Sequence, residues 1–160
     1  MIFITVGTQK FQFNRLIRSV DEFVGSRKIS DSVIAQIGNS DYPPKNVTYK
    51  RFLSPAEYDE WMKKCNIIIA HSGVATIIKG IQAGKKVIVV PRLKKYGEHV
   101  DDHQLQIADT FEELNLIVQC LDVNELPEMI EMVKSHQFAK YQSRRTMMID
   151  TIENYINTIK

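Results

Sequence analysis

Two short runs constrain the chain most: Ile67-Ile68-Ile69-Ala70 and Val87-Ile88-Val89-Val90. A strand with one wet face alternates apolar and polar residues, whereas these runs do not alternate. A strand that reads this way is covered on both faces, as in a parallel sheet lying between two helical layers. The runs are far below the roughly 18 apolar residues of a membrane-spanning helix. Similar β-rich stretches predict strands at Ile2–Val6, Val33–Ile37, Val47–Lys50, Asn66–Ala70, Val87–Val90 and Leu116–Cys120.

Helical patterns fill the gaps. Phe13, Leu16, Ile17, Val20 and Val24 keep helical spacing up to Gly25-Ser26. Ser54-Pro55-Ala56-Glu57 reads as a capping box with proline in the first turn, followed by an apolar face of Tyr58, Trp61 and Met62. Val74, Ile77, Ile78 and Ile81 form another face, stopped by Gly84. Further helices are expected from about Asp102 to Leu114, around Leu126–Val133, and at the C-terminus. The last would carry Tyr141, Met148, Ile152, Tyr155 and Ile159.

This alternation predicts an α/β fold with a single doubly wound, Rossmann-like, mainly parallel sheet. A length of 160 residues suits one domain, with a core over about 1–135 and a C-terminal helix over 138–159. Neither a repeat nor a linker interrupts it. The 21 Lys+Arg against 19 Asp+Glu give a net charge of +2, too small to argue for nucleic acid. The opening Met1–Gly7 reads as a strand rather than a signal peptide. Cys65 and Cys120 make neither a disulfide framework nor a zinc site and fit a reducing, cytoplasmic compartment.

In doubly wound sheets ligands bind beyond the carboxyl ends of the strands, so the loops there are the candidate sites. Gly7-Thr8-Gln9 follows the first strand and is either a backbone approach to a ligand or a tight turn. His71-Ser72-Gly73-Val74-Ala75-Thr76 joins a buried strand to a helix. Ser72 is expected to cap that helix, whose start suits an anion, with Thr76 adding a hydroxyl and His71 a donor. The competing reading makes Ser72 a simple cap and His71 a structural histidine. The third loop, Pro91–Gln104, offers Glu98, Asp101, Asp102, His103 and Gln104 to a polyhydroxylated ligand, and Arg92, Lys94 and Lys95 to an anion. His99 and His103 stand four apart without the Glu of H-E-x-x-H, so no metal site is expected. Phe52 and Leu53 are expected in the core, with backbone groups free to read a flat base. Neither G-x-G-x-x-G nor a P-loop is present.

Taken in order, these loops resemble the donor-binding half of family 28 glycosyltransferases. The resemblance rests on Thr5–Gln9, Gln36-Ile37-Gly38, His71–Thr76, Gly84–Arg92 and Lys95–Gln104, and runs from residue 1 to about 120. It is strongest to the small catalytic subunits of two-part bacterial polysaccharide-biosynthesis enzymes, and extends to that of the eukaryotic dolichol-pathway N-acetylglucosaminyltransferase. The resemblance implies the C-terminal half of a GT-B fold, holding a UDP-sugar with no cofactor or metal. A separate, membrane-anchored subunit would bind a lipid-linked saccharide acceptor, keeping this chain at the inner face of the membrane. Carried over by position, Gly7, Thr8, Gln9 and Ser72, Gly73, Val74, Ala75 and Thr76 would line the diphosphate. Phe52 and Leu53 would contact uracil, and Glu98, His103 and Gln104 the sugar or its neighbouring phosphate.

The expected reaction is an inverting, metal-independent hexosyl transfer in exopolysaccharide or capsule synthesis. Its general base is expected on the acceptor chain, with His71 and Glu98 as local candidates. Two positions depart from the family pattern: Ala75 replaces a second glycine, and Lys79 a ribose-binding glutamate. A non-catalytic UDP-sugar-binding accessory subunit is therefore the alternative, and an epimerase-like enzyme a further rival. The C-terminal helix is a candidate docking face for the acceptor subunit, and a homo-oligomer stays open.

Overall fold

The computed structural model describes residues 1–141. Its strands are β1 (Ile2–Thr5), β2 (Val33–Gln36), β3 (Thr48–Lys50), β4 (Ile67–Ala70), β5 (Lys86–Val89) and β6 (Val118–Gln119). Its helices are α1 (Asn14–Gly25), α2 (Pro55–Lys64), α3 (Val74–Gln82), α4 (His103–Glu113) and α5 (Leu126–Ser135). The sheet order is β3-β2-β1-β4-β5-β6, and every pairing is parallel. The chain thus starts mid-sheet, winds outward to β3, then crosses back to begin the other half at β4.

The unbroken apolar runs divide among three hydrophobic clusters. Ile67, Ile69, Ile88 and Val90 pack with Leu16, Ile17 and Val20 of α1 and with Leu126, Ile130 and Val133 of α5. Ile68 and Ala70 face Met62 of α2, while Val87 and Val89 face Ile77 of α3 and Ala108 of α4. All four residues of β4 are buried, as a doubly covered parallel strand requires. The edges are poorer: β3 is exposed throughout, and β6 keeps only two ladder positions. Leu116, Ile117 and Cys120 are buried beside β6 but outside its ladder, so the expected strand is shorter than its apolar run.

Local signals placed the helix ends. Ser54 Oγ accepts from Glu57 N–H at 3.3 Å, and Glu57 Oε2 accepts from Ser54 N–H at 2.8 Å, completing the capping box. After α3, Gly84 N–H donates to Ile81 and Lys85 N–H to Gly80, closing the helix at the glycine. Residues 136–140 carry no helix, so the expected last helix does not begin at 138. Met148, Ile152, Tyr155 and Ile159 lie outside the described residues.

Asp21, on α1, fixes the approach to β3. Its carboxylate accepts from Lys45 N–H at 2.9 Å, Asn46 N–H at 2.6 Å and the Tyr42 hydroxyl at 2.8 Å. Burial works to raise its pKa, but the bonds from Asn46, Lys45 and Tyr42 outweigh it and hold the carboxyl below 3.8. A carboxyl depressed on folding stabilises the protein above its unfolded pKa and loses that contribution as pH falls through the folded value. Asp21→Ala is therefore expected to cost about 3 kcal/mol at pH 7. In urea titrations the gap to wild type should narrow as pH drops below about 4.

Candidate functional site

The strand order reverses between β1 and β4, so the loops that follow them part company. A cleft of about 470 Å³ opens there, lined by Gly7, Thr8 and Gln9 after β1 and by His71, Gly73, Val74, Ala75 and Thr76 after β4. Thr5, Gln36, Leu53, Pro55 and Tyr58 complete its walls. A larger hollow of about 830 Å³ lies at the other end of the sheet, beside Lys85, Lys86 and Lys134. It sits at the amino ends of the strands, away from the switch point where open α/β sheets take ligands.

The start of α3 is the main donor array of the cleft. Gly73 is its cap residue, with no side-chain capping bond. This corrects the expectation that Ser72 caps the helix: Ser72 lies one residue too early, 1% exposed, with its Oγ unpartnered. Gly73 N–H donates to His71 O at 2.7 Å, and the first helical bond is Ile77 N–H to Gly73 O. The N–H groups of Val74, Ala75 and Thr76 have no acceptor among the described residues. Three unpaired donors at the positive end of a nine-residue helix favour an anion.

His71 closes the floor. Its ring is wedged between two glycines: a Cβ would lie 2.7 Å from the imidazole at Gly7 and 2.5 Å at Gly73. Gly7 also has a φ of 74°, which other residues adopt at a cost. The ring is 8% exposed and its Nδ1 unpartnered. Burial, then the nearby Arg92 charge, push its pKa down to about 4. At neutral pH His71 is uncharged and offers one donor and one acceptor.

A second layer of polar contacts ties the loops together. Arg92 is 1% exposed, yet its guanidinium donates to Val6 O at 2.7 Å, Gln12 O at 2.9 Å, Phe11 O at 3.0 Å and Glu98 O at 3.2 Å. Burial lowers its pKa to about 10, with Glu98 opposing, so it keeps its charge. Glu98 is fully buried and takes a two-pronged bond from Arg15, at 3.0 and 2.9 Å, plus the Leu93 N–H at 3.0 Å. The structure therefore corrects its expected place as sugar contact or base: both oxygens are committed and it is absent from the cleft walls.

Other positions also differ from expectation. Leu53 packs against the Phe3 cluster and lines the cleft, but Phe52 is 48% exposed and is not core. His103 is half-exposed and held by Asp101, while its neighbour Gln104 is buried beneath the loops. His99, Asp101 and His103 bring one ligand atom each within 4.8 Å of one another. His103 Nδ1 is hydrogen-bonded to Asp101 Oδ1, while His99 Nδ1 accepts the Asp101 N–H at 3.4 Å and lies 3.2 Å from the same Oδ1. Lys79 pairs with Asp59 at 2.6 Å and lies over the Tyr58 ring. Tyr58 and Thr5 were not anticipated at the site. Tyr58 reads as one member of a helix's apolar face, and the edge-on contact of its ring with Phe3, at 5.4 Å, sets it beside β1.

A doubly wound parallel sheet with unpaired helix-start amides at its switch point places those amides where open α/β sheets take ligands. The model of the glycosyltransferase family 28 C-terminal domain matches residues 1–158, and the chain belongs to that family. No curated protein matches it. Among solved structures it is similar to the glycotransferase of kitacinnamycin (TM-score 0.64, 16% identity), covering 84% of this chain and 35% of that one. It is similar to ALG13, solved by NMR, at TM-score 0.61 and 18% identity, covering 89% of each chain. It is also similar to MurG of Acinetobacter baumannii at TM-score 0.55 and 17% identity, covering 82% of this chain and 41% of that one. The chain thus spans well under half of two of these proteins and most of the third. At such identities the likeness speaks for the GT-B-type, Rossmann-like fold. Among the described residues no helix is long and apolar enough to cross a membrane.

Two outcomes test this geometry. His71, depressed on folding, stabilises the protein fully above its unfolded value of 6.5, and the contribution is lost as pH falls toward 4. The loss should amount to about 3 kcal/mol, absent from His71→Asn, when stability is followed against pH. Glu98→Ala strands the Arg15 charge and should cost about 3 kcal/mol in urea unfolding.

Proposed function

We propose that this chain is the donor-binding subunit of a UDP-sugar-dependent glycosyltransferase. It transfers a hexose or hexose derivative to a lipid-linked saccharide in exopolysaccharide or capsule synthesis. The observation that carries the reading is the uncapped start of α3, with three free N–H groups beside the unpartnered His71 Nδ1 and Ser72 Oγ. In glycosyl transfer from UDP, negative charge builds on the departing diphosphate. Preorganised N–H groups meet that charge without reorganising, which is how an inverting reaction proceeds here without a metal ion. Gly7, Thr8, Gln9 and Ser72–Thr76 face the diphosphate, Leu53 with the backbone at Phe52 the uracil, and His103 the sugar side.

The other wall of the active site comes from a second chain. The likeness in extent to ALG13, 89% of each chain, supports this reading, against 35% and 41% of the two longer relatives. A membrane-anchored acceptor subunit supplies that wall and holds this chain at the cytoplasmic face. It also supplies the base: a histidine with a pKa of about 4 is a weak proton acceptor at neutral pH, and Glu98 is buried in its ion pair.

Gly73→Asp places a side chain against His71 and a charge against the α3 donors, and should weaken UDP binding at least tenfold, roughly 1.4 kcal/mol, by calorimetry. Lys134→Ala, remote and paired with Asp31, should leave it unchanged. Equal insensitivity of the two variants refutes the site. Transfer from radiolabelled UDP-sugars by the chain with its partner, surviving loss of His71, His103 and Gln104, would instead assign this chain an accessory role.

A further inference from the structure

We propose that Gln104 is a positioning residue whose carbonyl sets the direction of the anion-binding turn, acting on the protein backbone rather than on the sugar. The inference rests on the donor-site reading above and assigns this residue a different task within it.

The ladder between β4 and β5 ends at Ala70↔Val89, with a last bond from Val90 N–H to Ala70 O at 2.8 Å. Beyond that rung the two strands splay, and the N–H groups of Ser72 and Arg92 lose any strand partner. Both turn to one atom: Gln104 Oε1 accepts from Arg92 N–H at 3.0 Å and from Ser72 N–H at 3.3 Å. A side-chain carbonyl has two lone pairs, and here both are used. Gln104 is 3% exposed, in the first turn of α4, so its amide stands in for the missing rung inside the split.

The consequence passes along the turn. Ser72 is 1% exposed, so its N–H would be a buried orphan without Gln104. Held by Oε1, that N–H points toward α4, and the next one, of Gly73, is taken by His71 O. Only then does the sequence of free donors begin at Val74. The same turn carries the His71 ring, which lies against Gly7 and Gly73 so closely that neither position has room for a Cβ. Loss of the Oε1 acceptor leaves Ser72 to seek another partner, and any rotation that supplies one swings the α3 donors and the imidazole together.

The test uses the full chain, with UDP and uridine as paired probes, because the turn acts on phosphate and not on the nucleoside. Gln104→Met keeps the length of the side chain and removes the acceptor. Expected are a fall in UDP affinity of about tenfold, uridine affinity within about twofold, and faster hydrogen exchange at the Ser72 and Arg92 amides. Gln104→Glu retains an oxygen for both N–H groups and should keep those amides protected, whatever its charge does to UDP. An unchanged preference for UDP over uridine in Gln104→Met overturns the proposal. So does a lost preference with the Ser72 amide still protected, which would mean direct contact with the ligand. So does loss of protection in Gln104→Glu. A wild-type chain with no affinity for UDP overturns the donor-site reading itself, and this inference with it.

Discussion

The site depends on one buried cation. A guanidinium is costly to bury, and Arg92 is kept charged in the interior by main-chain carbonyls. Those carbonyls belong to the ends of segments that otherwise have no reason to meet: Val6 at the exit of β1, Phe11 and Gln12 before α1, and Glu98 in the long loop after β5. The flat face of the guanidinium also lies over the Phe13 ring, 4.8 Å from its centroid. Arg15 repeats the arrangement one layer out, pairing with Glu98 and donating to Pro91 O at 2.9 Å. A lysine could not serve, because its ammonium lacks the planar fork that reaches several fixed acceptors at once.

Around that cation the cleft is electrostatically economical. Positive potential comes from a helix start and unpaired amides rather than from exposed lysines, so nothing flexible must be ordered when an anion arrives. His71 fits this arrangement because it is neutral: a protonated imidazole beside Arg92 would add a second buried charge. Lys79, the nearest lysine on α3, is tied to Asp59.

Much of the frame was legible in the sequence, and the reasons are local. The runs at Ile67–Ala70 and Val87–Val90 announce double coverage because burial on both faces leaves no place for alternation. The Ser54–Glu57 box and Gly84 mark helix ends because capping is decided within four residues. The site was legible only in part. Ser72 and Gly73 are both good cap residues, and a one-residue difference in where the chain turns decides which is used. Glu98 looked like a ligand because its type and loop suit sugars. Its partner, Arg15, lies 83 residues earlier, beyond any spacing argument. Gln104 looked like a sugar contact for the same reason, although its carbonyl oxygen is spent on two backbone amides. Tyr58 was hidden in the opposite way, read as one of three apolar residues on a helix.

The reach of the Arg92 contacts sets an order on events as the chain acquires its structure. Val6 and Arg92 are 86 residues apart, and the interior position of the cation has meaning only when both are present and close. The β1–β2 and β2–β3 pairings span far less sequence, and so can be won early at small cost in chain entropy. The crevice is then among the last things to assemble. Arg92 can take up the Val6 carbonyl only once the loop beyond β5 lies against the end of the first strand.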